Sequence, residues 1–213
     1  MVRQPDATPR RRDLSRDRLI AAALRLIDGK GVQALSMRAL AEAVGVTPMA
    51  LYNHFVGKRE LLAAVADHVV GTAEFDGGHA DWRDQIRHCF STLRGLCLAH
   101  PGLPALLEVE GAAPASVFAP LEVTLRALRA AGLDEPDGLR TYYLLVGFTL
   151  GQAAYQTRPV ASLEPERGRR ARIDGHGQAG GGRGEPPAAW DFDASFSYGI
   201  ELVLKGMEAT AGR

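Results

Sequence analysis

Residues 36–58, SMRALAEAVGVTPMALYNHFVGK, set two short helical patterns one glycine turn apart, and that spacing leaves few folds open. Ser36 offers an acceptor oxygen to the orphan N–H groups of a helix start, which makes it a good N-cap. The residues after it, MRALAEAV, are strong helix formers, with Met37, Leu40, Ala41 and Val44 on one face at the helical period. Gly45 stops the helix, because glycine takes the left-handed conformation without a steric penalty. Thr47 sits where it can cap the next helix, and Pro48 follows at the first helical position, where a missing N–H is harmless. Cap, helix, glycine, cap and proline within about a dozen residues form the pattern of a helix-turn-helix.

The second helix, expected over Pro48–Phe55, is too short to hold itself together and needs packing. Leu51 and Phe55, four apart, supply an inward face. Pro48, Met49, Ala50, Tyr52, Asn53 and His54 are left outside. Small or flat residues at the N-terminal end allow close approach to base edges in a DNA major groove, where apolar atoms can touch a thymine methyl. Tyr52, Asn53, His54 and Lys58 carry donors suited to phosphate oxygens, which fix register without reading sequence. Arg38 can reach either a phosphate or a guanine edge. With the residues at the two helix starts, the candidate DNA-contacting set is Ser36, Met37, Arg38, Thr47, Pro48, Met49, Ala50, Tyr52, Asn53, His54 and Lys58. Two core helices of an ordinary bundle would rarely place so many donors on one short outer face.

LIAAALRLIDGKGVQALSMRALAEAVGVTPMALYNHFVGKRELLAAVADHVV, residues 19–70, resembles the N-terminal domain of tetracycline-repressor (TetR) family regulators. The LYxHFxxKxxLL run is the most specific part of the match. The resemblance implies an all-α homodimer: an N-terminal three-helix helix-turn-helix domain and a larger C-terminal helical domain for ligand binding and dimerisation. Past residue 75, DWRDQIRHCFSTLRGLCLAHPGL (81–103), the LRAAGL run and FDASFSYGIELVLKGMEA resemble the C-terminal domains of some members.

Net charge is zero, yet its distribution is not even. Residues 1–70 hold 11 Lys/Arg against 7 Asp/Glu, and the remainder 14 against 18, so the half with the helix-turn-helix is the basic half. At 213 residues the chain has room for one or two domains with a proper core. No apolar run approaches the roughly 18 residues of a membrane span, and the polar start lacks the apolar region of a signal peptide, so a cytoplasmic protein is expected. Cys89 and Cys97 fall eight residues apart in one predicted helix, about 12 Å along its axis, too far to bridge, and read as reduced core residues.

Along the chain, 1–14 is a polar arm with Arg10, Arg11 and Arg12, expected to be disordered. It either adds DNA contacts or is simply solvated. The DNA-binding domain is expected over 15–70, with a first helix from about Ser15 to Gly29 burying Leu19, Ile20, Ala23, Leu26 and Ile27. A fourth helix from near Lys58 buries Leu61, Leu62, Val65, Ala66 and Val69 and leads into the second domain, 81–213. There a helix over 81–100 aligns Trp82, Ile86, Cys89, Phe90 and Leu93, and another spans 117–131 before Gly132. Asp137 is read as capping a helix over 138–154, in which Gly147 and Gly151 share a face and suggest close contact, since glycine inside a helix costs about 1 kcal/mol relative to alanine. Residues 158–190, with 7 Gly, 4 Pro and 6 Arg, read as a disordered loop; Arg167, Arg169, Arg170 and Arg172 either are solvated, the favoured reading in this acidic half, or contact nucleic acid. A last helix, 192–209, carries Phe196, Ile200, Val203 and Met207 on one stripe.

By resemblance, the 138–154 and 192–209 helices pair with their symmetry mates in a four-helix interface, with Gly147, Gly151, Phe196, Ile200 and Val203 as candidates. Trp82, Phe90, Leu93, Tyr142, Tyr143 and Gln152 are candidates for an effector pocket, each alternatively a core or interface group. The resemblance also aligns the two histidines that hold a tetracycline–magnesium complex with Glu74 and with a position near Leu106. Neither is histidine, so an apolar pocket for a small lipophilic or aromatic molecule is expected instead, with no metal and no cofactor. No GxSxG, HExxH or GxxxxGK[ST] occurs, so no enzyme is expected. The function expected is a DNA-binding transcriptional regulator, a ligand-released repressor acting as a homodimer on a palindromic double-stranded operator. The alternative is a helix-turn-helix interaction protein without a small-molecule effector.

Overall fold

The computed structural model describes residues 14–109, 115–157 and 191–211; the expected arm, apart from Leu14, and the expected 158–190 loop lie outside them. Every regular element among the described residues is helical: α1 (Arg16–Lys30), α2 (Met37–Val44), α3 (Pro48–Tyr52), α4 (Lys58–Val70), α5 (Trp82–Ala99), α6 (Leu103–Leu107), α7 (Ala119–Ala130), α8 (Glu135–Gln156) and α9 (Phe192–Ala211), with 3-10 turns at Val32–Ala34 and Ala115–Phe118. The chain divides into two compact units, Met1–Thr72 with Ala105–Val117, and Ala73–Pro104 with Phe118–Arg213.

In the first unit, Ser15 caps α1 by accepting from the Arg18 N–H, and the helix runs through Gly29 to end at Lys30, one residue later than expected, with Gly31 as its C-cap. Its inner face holds Leu19, Ile20, Ala23, Leu24 and Ile27; Leu24 is buried where Leu26 was expected, and Leu26 is only half-buried. Leu40 and Ala41 of α2, Leu51, Phe55, and Leu61, Leu62, Val65, Ala66 and Val69 of α4 close the same core.

The second unit is built on α5, which packs against both α7 and α8. Asp81 caps α5 through a 2.7 Å bond from the Arg83 N–H. Gly132, with φ +88, ends α7 in a conformation that L side chains avoid. The cap of α8 is Asp134 rather than Asp137: its carboxylate accepts from the Asp137 N–H at 2.9 Å. Pro136 is tolerated inside the first turn because its missing N–H would have no intrahelical partner there. Asp191 caps α9 likewise, accepting from the Ala194 N–H.

Three arginines of α5 meet three acids of α9 in reverse order: Arg83 with Glu208, Arg87 with Glu201, and Arg94 with Asp193. That order makes the two helices antiparallel. The Arg87–Glu201 pair is bidentate, 2.6 and 3.1 Å, and holds the Glu201 carboxyl below its ordinary value. Inside the ladder α9 buries Phe196, Ile200, Leu204 and Met207; Leu204 takes the place on the stripe that Val203 was expected to hold. The Phe196 and Phe148 rings stack with centroids 5.7 Å apart. Cys89 and Cys97 are fully buried free thiols, which burial pushes up to about 11 and about 12, far from reactive.

Candidate nucleic-acid interface

The turn forms as its sequence requires. The Ser36 hydroxyl accepts from the Ala39 N–H at 3.0 Å. Gly45 is left-handed, φ 73 and ψ 37, so that its N–H reaches the Glu42 carbonyl and the Val46 N–H reaches Ala41, the paired bonds of a Schellman ending. Thr47 occupies the N-cap position of α3 with extended backbone, but its side chain makes no cap bond; the carbonyl of Thr47 accepts from Ala50 instead. Its hydroxyl is thereby left for another partner.

The α-helix of the second segment ends at Tyr52, three residues before the expected Phe55. The Leu51 carbonyl accepts from both His54 and Phe55, which tightens the chain into a turn. The turn still buries Leu51 and Phe55 and leaves Pro48, Met49, Tyr52 and Asn53 exposed, Met49 at 73%. Ala50, His54 and Lys58 are half-buried, and Arg38 and Ser36 are exposed one helix earlier. Met37 departs from the set. Its side chain is buried in the first unit's core, because the stripe it shares with Leu40 and Ala41 faces inward.

Arg16, in the first turn of α1, is the residue that sequence inspection missed. Its guanidinium lies 4.4 Å from the centroid of the Phe55 ring, donates to the His54 carbonyl, and pairs with Glu60 at 3.0 Å. Glu60 in turn accepts from the Val56 N–H at 2.7 Å. One arginine and one glutamate thus tie the end of α3 to the starts of α1 and α4. The only sequence signal was Glu60 two residues into α4, an acid near a helix N-terminus. Its partner is 44 positions away, beyond any local pattern.

The Val56 N–H, and then Arg16, hold the Glu60 carboxyl below its ordinary 4.5. A depressed carboxyl stabilises the fold above its unfolded pKa, and that contribution drains away as the pH falls below about 4.5 through the lowered value. The stability difference between the wild type and Glu60→Gln is therefore expected to shrink steadily on acidification below about pH 4.5. Thermal melts of both across that range check it; a constant difference would contradict the tie.

In the second unit, Phe90, Leu93 and Tyr142 are buried, with the Phe90 and Tyr142 rings 6.5 Å apart across α5 and α8. Gln152 is half-buried on α8. Trp82 and Tyr143 do not join them: Trp82 lies at the first residue of α5 under the Arg83 guanidinium, and Tyr143 is 64% exposed. Phe196 and Ile200 are consumed by the core of their own protomer, since the α9 ladder turns that stripe inward. The exposed apolar side chains of α8 and α9 are Leu139, Tyr143, Leu144, Tyr155, Tyr198 and Leu202. Gly147 and Gly151 lie between Tyr143 and Tyr155 on α8, and a Cβ added to either meets nothing within 4 Å. Among the described glycines inside helices, the tightest contact is at Gly199, where a Cβ would run into the Phe148 ring. Among the described residues no three His, Cys, Asp or Glu side chains group to hold a metal, and no helix is long and apolar enough to cross a membrane.

A capped helix, a left-handed glycine turn and a short second helix with an exposed, donor-rich outer face define a helix-turn-helix DNA-binding protein. The model of bacterial regulatory proteins of the tetR family matches residues 19–65, and the tetracyclin repressor-like C-terminal domain matches 76–211. The chain belongs to the tetR family and is a DNA-binding transcriptional regulator. It is 31% identical to an HTH-type transcriptional regulator of Saccharopolyspora erythraea, across 93% of this chain and 86% of that one. Among solved structures it is similar to BioQ with its double-stranded DNA operator (TM-score 0.65, 30% identity, 92% of this chain and 99% of that one). It is also similar to ActR of Streptomyces coelicolor in complex with actinorhodin (TM-score 0.71, 27% identity, 94% and 99%).

Proposed function

We infer that the chain is a cytoplasmic, non-enzymatic repressor that binds a palindromic operator as a homodimer and is released by a small lipophilic or aromatic effector held in the second unit. The observation that carries the reading is the outer face of α3. Pro48, Met49 and Ala50 offer small or apolar contact at its leading end, and Tyr52, Asn53 and His54 offer donors at its trailing end. Ser36, Arg38, Thr47 and Lys58 flank that face as phosphate or base-edge partners. Two such helices in a twofold dimer read half-sites about 34–36 Å apart, one helical turn of DNA. Similarity to one protein solved with its operator and to another solved with a ligand supports the two halves of the reading. An effector relieves repression only by binding the DNA-incompetent conformer more tightly, and the resemblance makes a tilt of α4 the motion that links ligand to DNA.

Lys58 tests the DNA face. Lys58→Ala is expected to weaken binding to operator and unrelated duplex alike, and to lower the slope of log affinity against log salt by about 1 per protomer. A salt titration on labelled duplexes measures it, and an unchanged slope removes Lys58 from the phosphate contacts.

The dimer face is assigned to the outer ridge of α8, Leu139, Tyr143, Gly147, Gly151 and Tyr155, with Tyr198, Leu202 and half-buried Val203 of α9 beside it. Residues four apart form the ridges by which helices commonly interlock, and two glycines at the middle let a second backbone come close. Gly147 is exposed, and a Cβ added there meets nothing within its own protomer. Gly147→Leu is expected to raise the dimer dissociation constant at least tenfold, about 1.4 kcal/mol, while leaving helix content intact. Sedimentation velocity decides; an unaltered dimer would move the interface elsewhere.

A further inference from the structure

A side chain reads a base edge only if its backbone is held within about 0.5 Å of one placement, and the five residues of α3 cannot hold themselves there. The three residues that close the reading segment are gripped one after another. The His54 carbonyl accepts from Arg16 Nη1, the Phe55 ring faces the Arg16 guanidinium at 4.4 Å from its centroid, and the Val56 N–H donates to Glu60 Oε2 at 2.7 Å. Arg16 Nη2 closes the circuit on Glu60 Oε1 at 3.0 Å, so both carboxylate oxygens and both terminal nitrogens are engaged. Arg16 stands in the first turn of α1 and Glu60 in that of α4, so the end of α3 is referred to the two helices that frame it. The neighbouring cations differ. Among the described residues Arg38, Lys58 and Arg59 make no ion pair, which leaves their charge for phosphates, whereas Glu60 already balances that of Arg16.

We propose that Arg16 and Glu60 are positioning residues of the reading head: they set the angle at which α3 meets the bases and take no phosphate themselves. The proposal rests on α3 being the base-reading helix. Two quantities then come apart. Attraction to phosphates is carried by the free cations and acts over a Debye length of about 8–10 Å, so a small tilt of α3 leaves it in place. A base-edge hydrogen bond weakens steeply as its angle closes towards about 120°, so the same tilt breaks it. Loosening the clamp therefore costs discrimination between sequences before it costs affinity for DNA as such. The guanidinium suits the task because its planar fork meets two partners in fixed directions while its face lies on a ring, which an ammonium cannot reproduce.

The test uses the full chain in two variants that keep its net charge: Arg16→Lys, and Arg16→Gln combined with Glu60→Gln. The probes are a duplex that the wild type selects from a random-sequence library and a scrambled duplex of the same composition. Both are titrated at several salt concentrations, well below the melting temperature of each protein. The ratio of the two affinities is expected to fall at least about tenfold in the double variant and at least about threefold in Arg16→Lys, the range that one weakened base contact covers. Affinity for the scrambled duplex is expected to stay within about twofold of the wild type, with the slope of log affinity against log salt unchanged. A merely structural role would lower the melting temperature and leave the ratio alone. An undiminished ratio in both variants would overturn the proposal. So would a slope reduced by about 1 per protomer in the double variant, which would put Arg16 on a phosphate. If the double variant does not fold, the ratio in Arg16→Lys decides alone. A wild type that selects no duplex would remove the base-reading role of α3 itself, and the positioning role with it.

Discussion

Phe55→Ala is expected to remove about 3–5 kcal/mol from the first unit and to abolish operator binding at ambient temperature. The five-residue helix α3 cannot sustain itself, and Leu51 and Phe55 are the two buried side chains by which its segment is held. Phe55 also carries the face on which the Arg16 guanidinium rests, so truncation empties a core position and removes the seat of the arginine that bonds the His54 carbonyl. Those are two losses at one residue, against a total stability of about 5–15 kcal/mol for a native domain. Denaturant unfolding and a binding titration with operator duplex read both effects. Wild-type affinity in a variant with a wild-type melt would show that α3 is supported by something other than this contact.

Gly199→Leu is the second large effect, in the other unit. A Cβ at this position enters the Phe148 ring, which is stacked almost parallel on Phe196, so the ring has little freedom to retreat. Leaving glycine gains about 1 kcal/mol of helix propensity. Overpacking a tight helix contact costs about 1–3 kcal/mol and sometimes more, and leucine adds three further carbons without further propensity gain. With the Cβ pressed into the ring the cost sits at the upper end of that range, so the overpacking wins and a net loss of up to about 2 kcal/mol in denaturant unfolding is expected. Gly147→Leu is the counterpart on the opposite side of the same helix pair, where the fold is indifferent and the assembly is tested. A Gly199→Leu protein as stable as the wild type would mean that α9 can lift away from α8 at little cost.

These two glycines also show where the sequence was readable. The helix-turn-helix rests on local chemistry: a serine, a glycine and a proline at fixed offsets each act on backbone within four residues. Its inward face follows from period alone. Met37 sits at the start of α2, close to α3 in sequence, but its place on the stripe with Leu40 and Ala41 decides where its side chain goes. In the second unit, Gly147 and Gly151 stand out in a linear pattern while Gly199 does not, because close approach depends on which residue of another helix lies opposite. The same holds for Phe196 and Ile200. A stripe at helical spacing says that a face is apolar, not whether the protomer itself will cover it. The Arg16 tie was invisible for the same reason, since ion pairs across dozens of residues leave no periodic trace. Asp134 was legible: an aspartate two residues before a proline is as good a helix start as Asp137, and it comes first.

The arginine ladder between α5 and α9 has a consequence for how the last helix finds its place. Each pair is partly exposed, and such a pair contributes only about 0–1 kcal/mol. Their spacing discriminates more than it binds. If α9 slid by one turn in the direction that advances Lys205 to the position of Glu201, Arg87 would face a cation instead of a carboxylate. A greasy helix laid on greasy neighbours has several nearly equivalent resting points, and a row of charges works against a shifted one. The ladder thus acts as a notch that stops the terminal helix at one setting, and with it fixes which tyrosines and leucines are turned outward.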